Sequence, residues 1–223
     1  MQEFQGFPLS HELITLAGHD FSMARVADID ALFAQLLNQP STHPDVTDER
    51  IPYWAELWPA AIGLAEYLFL HPSLVMGKKV VEIGCGLGLP GIVAGRLGAE
   101  VLLTDYLSEP LELARYNWER NIQRPASVRQ FDWRQGEDLP EADLVLASDI
   151  AYESRAFPFI RSLIGHYLDK GSVILISEPN RTFAAEFFKS LSLLPGYSHH
   201  TIRVVRNQLT IQVNVHRIVP ERA

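Results

Sequence analysis

The chain has 223 residues, 47% of them hydrophobic and 21% charged, a globular mix that suffices for one domain with an embellishment and excludes wholesale disorder. Its formal net charge is -8, and its Lys and Arg residues are scattered with no basic run to neutralise a row of phosphates, which argues against nucleic acid as a partner. The lone cysteine, Cys85, excludes an intrachain disulfide framework; with no signal pattern in residues 1–5 and no apolar run near about 18 residues, the expectation is a soluble cytoplasmic protein without a membrane partner.

In chain order, residues 12–16 and 21–26 read as a hairpin turning across Gly18-His19-Asp20. A helix over Ile29–Leu37 follows, with Ile29, Leu32, Phe33, Leu36 and Leu37 at helical spacing and Asp28 or Asp30 as its cap. Residues 38–52 are polar and hold three prolines, so they read as a linker between an N-terminal extension, residues 1–50, and a main domain, residues 51–223. Pro59 starts a helix that runs toward Pro72. Strands then alternate with helices: strands over 79–83, 100–104, 127–131, 143–147 and 172–177, helices over 89–97, 109–121, 155–168 and 183–193. The early strands are almost wholly apolar, as in a parallel sheet covered on both faces. At the end, residues 201–205 and 209–216 flank Arg206-Asn207-Gln208 as an antiparallel hairpin, with Leu209, Ile211, Val213 and Val215 alternating with polar residues.

Gly84, Gly86 and Gly88 lie between an apolar strand and a helix that Pro90 can start. Glycines accept positive φ and let backbone approach a ligand closely, and open α/β sheets bind ligands beyond the carboxyl ends of their strands. Asp105, about 20 residues beyond Gly84, stands at the end of the next strand, where an acid can hold ribose hydroxyls. A dinucleotide fingerprint would need glycine at position 89, where the chain has Leu89. A tight turn without a ligand is the plain alternative.

Glu82 precedes the first glycine by two positions, and the order acid-x-Gly-x-Gly-x-Gly resembles the first motif of Rossmann-like S-adenosylmethionine-dependent methyltransferases. Residues 53–215 resemble seven-stranded methyltransferases as a whole, and more narrowly the family 16 type that modifies lysine side chains in proteins. Trp58-Pro59-Ala60-Ala61-Ile62-Gly63 is similar to that family's tryptophan-led helix, Asp132-Trp133 to its short motif near the adenine, and Ser148-Asp149-Ile150-Ala151-Tyr152 to its Asp-x-x-Tyr motif. The resemblance implies an α/β, Rossmann-like three-layer sandwich, its mostly parallel seven-stranded sheet ending in the antiparallel hairpin. It implies S-adenosyl-L-methionine as cofactor, held by Glu82, Gly84, Cys85, Gly86 and Gly88, by Asp105 and Tyr106, and by Trp58, Asp132, Trp133 and Ser148. Asp149 and Tyr152 are then the catalytic pair and a lysine-bearing protein is the substrate; nothing in the pattern sets an oligomeric state.

A lysine ammonium, with a reference pKa of about 10.4, must lose a proton before it attacks. Asp149 suits orientation of the amine through hydrogen bonds and Tyr152 suits the channel wall, with no dedicated general base; both could instead cap the next helix, as Asp132 could cap a turn. Enzymes that methylate base amines carry two prolines where this chain has Ile150 and Ala151. A small-molecule methyltransferase is the alternative function, because the fold serves many acceptors. A non-catalytic relic is disfavoured by the intact Glu82, Asp105, Asp149 and Tyr152. The histidines, including His199-His200, show no metal-ligand arrangement, so no metal is expected. The N-terminal hairpin and helix are expected to cover a sheet edge or to close over the acceptor groove.

Overall fold

The computed structural model describes residues 1–48, 50–135 and 139–221. It opens with three antiparallel strands, β1 (Glu3–Phe4), β2 (Phe7–Leu16) and β3 (His19–Val26). Both connections are two-residue turns with positive φ throughout, Gln5-Gly6 and Ala17-Gly18, the geometry that matches the right-handed twist of paired strands. The second lies slightly earlier than the expected Gly18-His19-Asp20, because Leu16 already pairs with His19. Helix α1 (Ile29–Leu37) begins at Asp28, whose carboxylate accepts the Ala31 amide at 3.2 Å, so Asp28 rather than Asp30 is the cap. The expected linker contains a one-turn helix, α2 (Pro44–Thr47).

Helix α3 (Pro59–Leu70) is buried on nearly every side, and Pro59 sits in its first turn, where its missing amide costs nothing. Then follow β4 (Lys79–Ile83), α4 (Leu89–Arg96), β5 (Glu100–Asp105), α5 (Ser108–Ile122), β6 (Ser127–Gln130), β7 (Leu144–Ser148), α6 (Phe157–Asp169), β8 (Val173–Glu178) and α7 (Ala185–Leu191). The hairpin β9 (Tyr197–Arg206) and β10 (Leu209–Ile218) turns through Asn207-Gln208, both at positive φ. These seven later strands form one sheet in the order β6-β5-β4-β7-β8-β10-β9. It is parallel from β6 to β8 and antiparallel where β10 meets β8 and β9.

Two hydrophobic clusters divide the faces. Val80, Leu144 and Leu146 point into a cluster shared with α3, α4 and α5, and Val81, Ile83, Val145 and Ala147 into one shared with α6 and α7. Alternate residues of one strand therefore serve opposite cores, which produces the continuous apolar runs and the three-layer sandwich. Each fully buried Leu, Ile or Val contributes about 1.5–3 kcal/mol of hydrophobic stabilisation.

The N-terminal sheet joins the first cluster through Phe4, Phe21, Met23 and Val26. It packs on α5 and α3, and Glu12 of β2 also pairs with Arg206 at the end of the edge strand β9. Two asparagines one turn apart on α5 treat β3 as a partner strand. Asn121 and Asn117 accept the Ser22 and Ala24 amides at 2.9 and 2.7 Å, and donate to the same residues' carbonyls at 3.0 and 3.1 Å. The exposed edge of β3 is thereby satisfied by side chains. No helix of the described residues is long and apolar enough to cross a membrane.

Candidate active site

The strand order reverses at β4, whose neighbours β5 and β7 are reached by crossovers in opposite directions. At such a switch point the loops beyond the carboxyl ends diverge and leave a crevice. Here the crevice is a cavity of about 690 Å³, within the usual range for a small-molecule site. Every site residue expected from the sequence lines it except Glu82.

The floor is the glycine loop after β4. Gly84, Gly86 and Gly88 have φ of 62°, 50° and 81°, and a Cβ on Gly84 would come within 3.2 Å of Ile150 Cγ2. The loop thus keeps its backbone toward the cavity at angles that side chains resist. Glu82 lies beneath it, fully buried, with one carboxylate oxygen accepting the Gly91 amide at 2.9 Å in the first turn of α4 and the other without a protein partner. Glu82 thus stands behind the loop instead of in the cavity wall, and its carboxylate anchors the first turn of α4 there. Burial, with the Asp105 charge adding to it, raises its pKa to about 8 against the Gly91 hydrogen bond.

Asp105, at the end of β5, accepts the Gly86 amide at 3.1 Å and the Leu107 amide at 3.3 Å while facing the cavity. Each oxygen keeps a lone pair for a ligand hydroxyl. Burial raises Asp105 to about 6 despite those amides. Cys85 is buried in the same loop, and desolvation pushes its thiol well above the ordinary range, so it stays the uncharged thiol. Asp132 is clamped by Arg134, which donates from Nε and Nη2 at 2.8 Å each and lies over the Tyr106 ring. Burial alone would raise the Asp132 carboxyl, but the Arg134 hydrogen bonds hold it below the usual range.

The segment from Thr47 to Trp58, expected in part to be a linker, supplies the opposite wall. Trp58 Nε1 donates to the Tyr53 carbonyl at 2.7 Å, and the Tyr53 ring meets Trp58 and Tyr152 edge-on at 5.9 and 5.6 Å. The polar, proline-bearing composition of residues 38–52 concealed this role. The single sequence signal was Tyr53 beside two tryptophans.

Asp149 follows β7 in the left-handed conformation (φ 53°), with its amide donating to Ser177 O at 2.8 Å. A non-glycine residue held at positive φ is strained and points to a positional demand. Its carboxylate, 8% exposed, meets Arg181 in a two-pronged pair, Nε to Oδ1 at 2.9 Å and Nη2 to Oδ2 at 2.6 Å. Arg181 itself is fixed by Glu178, which accepts its backbone amide at 3.0 Å and also binds Asn214 and His216. Arg181 lies just past the strand expected over residues 172–177, and nothing local in the sequence pairs it with Asp149. The fold brings it to Asp149 because β7 and β8 are adjacent and parallel. Among the described residues no group of His, Cys, Asp or Glu is arranged to hold a metal ion.

Positive-φ glycines, a cavity-facing acid on the next strand and a nucleoside-sized crevice at the switch point fit S-adenosyl-L-methionine, and together they define a methyltransferase of the Rossmann-like class. The family model described as lysine methyltransferase matches residues 49–193. The chain is 33% identical over 178 residues to Protein N-lysine methyltransferase METTL21A of Danio rerio, covering 72% of this chain and 81% of that relative. It is 32% identical over 143 residues to Histone-arginine methyltransferase METTL23 of Rattus norvegicus, covering 59% of this chain and 64% of that relative's length. In fold it resembles the magnesium protoporphyrin IX methyltransferase of Synechocystis with bound SAM, at TM-score 0.55 and 14% identity, over 86% of this chain and 92% of that one. The chain belongs to the lysine methyltransferase family of S-adenosylmethionine-dependent enzymes.

Proposed function

We propose that the protein transfers a methyl group from S-adenosylmethionine to the side-chain amine of a lysine in a protein substrate. The observation that carries this reading is the placement of Asp149 and Tyr152 on the loop after β7, in one cavity with the glycine loop and Asp105. The cofactor, when bound, supplies a methyl group on a cationic sulfur that a neutral amine can displace in line. Gly84, Cys85, Gly86 and Gly88 would hold its methionine end and Asp105 its ribose hydroxyls, with Tyr106, Asp132, Trp133 and Ser148 beside its base and Trp58 as a further wall. Glu82 serves from beneath by fixing the loop and α4.

Asp149 orients the acceptor by receiving its N–H bonds, and Tyr152 with Tyr53 forms an aromatic collar that excludes water from the approach line. The amine's proton leaves to solvent at the cavity mouth. Residues 51–223 form the catalytic unit, and residues 1–50 an extension that braces it. The acidic balance suits a lysine-bearing protein segment rather than nucleic acid, and the single cysteine suits a reducing, cytoplasmic setting.

The histone-arginine relative favours a second reading, an arginine acceptor. Transfer of labelled methyl to proteins of a cell extract separates the two. The expected result is label on a discrete band, recovered as methyl-lysine and lost with Asp149→Asn. Methyl-arginine would establish the second reading, and label in small molecules only would replace both with a small-molecule acceptor.

A further inference from the structure

Asp149 does not meet an acceptor as a lone carboxylate. Arg181 takes one lone pair on each of its oxygens through two hydrogen bonds of 2.9 and 2.6 Å. A carboxylate has about four acceptor positions, so about one on each oxygen remains. Both side chains line the cavity, with Arg181 partly exposed to it and Asp149 almost covered. The pair carries no net charge, and its positive member faces the space where an acceptor's head group would sit.

Three acceptors fare differently there. A guanidinium needs the two-pronged face of a carboxylate, and Arg181 already occupies that face. An ammonium finds a neutral pair and a like charge beside it, and a nearby like charge disfavours the charged form. A neutral primary amine can still donate to the remaining lone pairs and keeps its own pair for attack.

We propose that Arg181 is a specificity-determining positioning residue, acting through Asp149, that restricts the acceptor to a neutral primary amine and excludes a guanidinium. The inference rests on the lysine reading above and adds which residue enforces it. Other groups surround the pair. Glu178 faces Arg181 from the end of β8 and holds its backbone amide, and Tyr53 faces it from the opposite wall. Tyr152, Glu153 and Arg155 stand on the segment after β7, Glu153 paired with Arg155, and Asp105 lies across the cavity. None of these contacts depends on the Arg181 fork, so a variant at 181 leaves them in place.

The test compares wild type with Arg181→Gln and Arg181→Met, which remove the charge, and with Arg181→Lys, which keeps it. Each is assayed for S-adenosylmethionine binding by equilibrium dialysis, for the pH dependence of label transfer at saturating acceptor, where the limb reports the bound amine, and for the labelled amino acid after hydrolysis of the protein. The uncharged variants are expected to bind cofactor as wild type does. Their pH–rate limb should move upward by about one unit or more, since a lone carboxylate stabilises the ammonium, and methyl-arginine should appear beside methyl-lysine. Arg181→Lys should hold the limb near that of wild type. A folded uncharged variant with the wild-type limb and methyl-lysine alone overturns the proposal, as does loss of cofactor binding in both uncharged variants, which marks a merely structural role. Wild type that labels arginine, or no protein, overturns the lysine reading itself, and that outcome is visible without any variant.

Discussion

Asn117 ties both the extension and the glycine loop to α5, so its removal should be felt in stability and in binding. The side chain is fully buried; it accepts the Ala24 amide at 2.7 Å and donates to the Ala24 and Leu87 carbonyls at 3.1 and 3.2 Å. Asn117→Ala leaves an amide and two carbonyls without partners inside the protein. Each such group costs about 1–3 kcal/mol, and local relaxation lowers the sum for three to about 3–5 kcal/mol. At roughly 2–4 °C per kcal/mol for a chain of this size, the melting temperature should fall by about 6–20 °C. Thermal and urea unfolding followed by circular dichroism measure this, with cofactor binding measured on the folded variant. Binding should weaken because Leu87 belongs to the loop that lines the cavity. Asn121→Ala is the comparison: it loses its bonds to Ser22 and to the Asn117 carbonyl but is only partly buried, so water can replace them, and it should cost about 1–2 kcal/mol with no effect on binding. A melting temperature for Asn117→Ala within about 2 °C of wild type would refute the reasoning, and so would equal losses for the two variants.

Three further outcomes are expected. Glu82 has a folded pKa of about 8 against about 4.5 unfolded, so the folded chain holds a proton that the unfolded chain releases, and stability declines as pH rises through that interval. Asp105, raised to about 6, adds to the lower part of the decline. Glu82→Gln should flatten the remainder, and an unchanged slope of urea midpoints against pH would count against the buried protonated acid. Gly91→Ala should destabilise by about 1–3 kcal/mol, since its Cβ would collide with Leu103 Cδ2 and lie 2.6 Å from Glu82 Oε2. Gly165→Ala, in α6 with open space around it, should stabilise by about 0.4–1 kcal/mol, and equal unfolding midpoints for the two would contradict this. Trp58→Phe removes the bond to the Tyr53 carbonyl and should raise the apparent KM for the cofactor about fivefold, the equivalent of one ordinary hydrogen bond, measured by initial rates.

Much of the architecture was legible along the chain because it is written in short-range patterns. The apolar runs of β4, β5 and β7, the Pro59 and Pro90 helix starts, the Asp28 cap and the alternation from Leu209 to Val215 each follow from local sterics and burial period. The glycine loop was legible for the same reason, since its conformation is a property of the residues in it. Boundaries shifted by a few residues where pairing continued past the pattern, as at Phe7–Leu16 and Tyr197–Arg206.

Other features exist only after the chain has folded. Arg181 reaches Asp149 because two parallel strands are neighbours, Asn117 reaches Ala24 because a helix lies beside a strand edge, and residues 47–58 become a wall because the cavity forms next to them. Glu82 keeps its place in the motif, yet tertiary packing puts its carboxylate under the loop instead of in the cavity. The sequence by itself determined the strands, helices and loop, which depend on near neighbours in the chain. The partners of the charged and amide side chains were decided by the tertiary structure, because hydrogen bonds and ion pairs act over a few ångströms of space, whatever the separation along the chain.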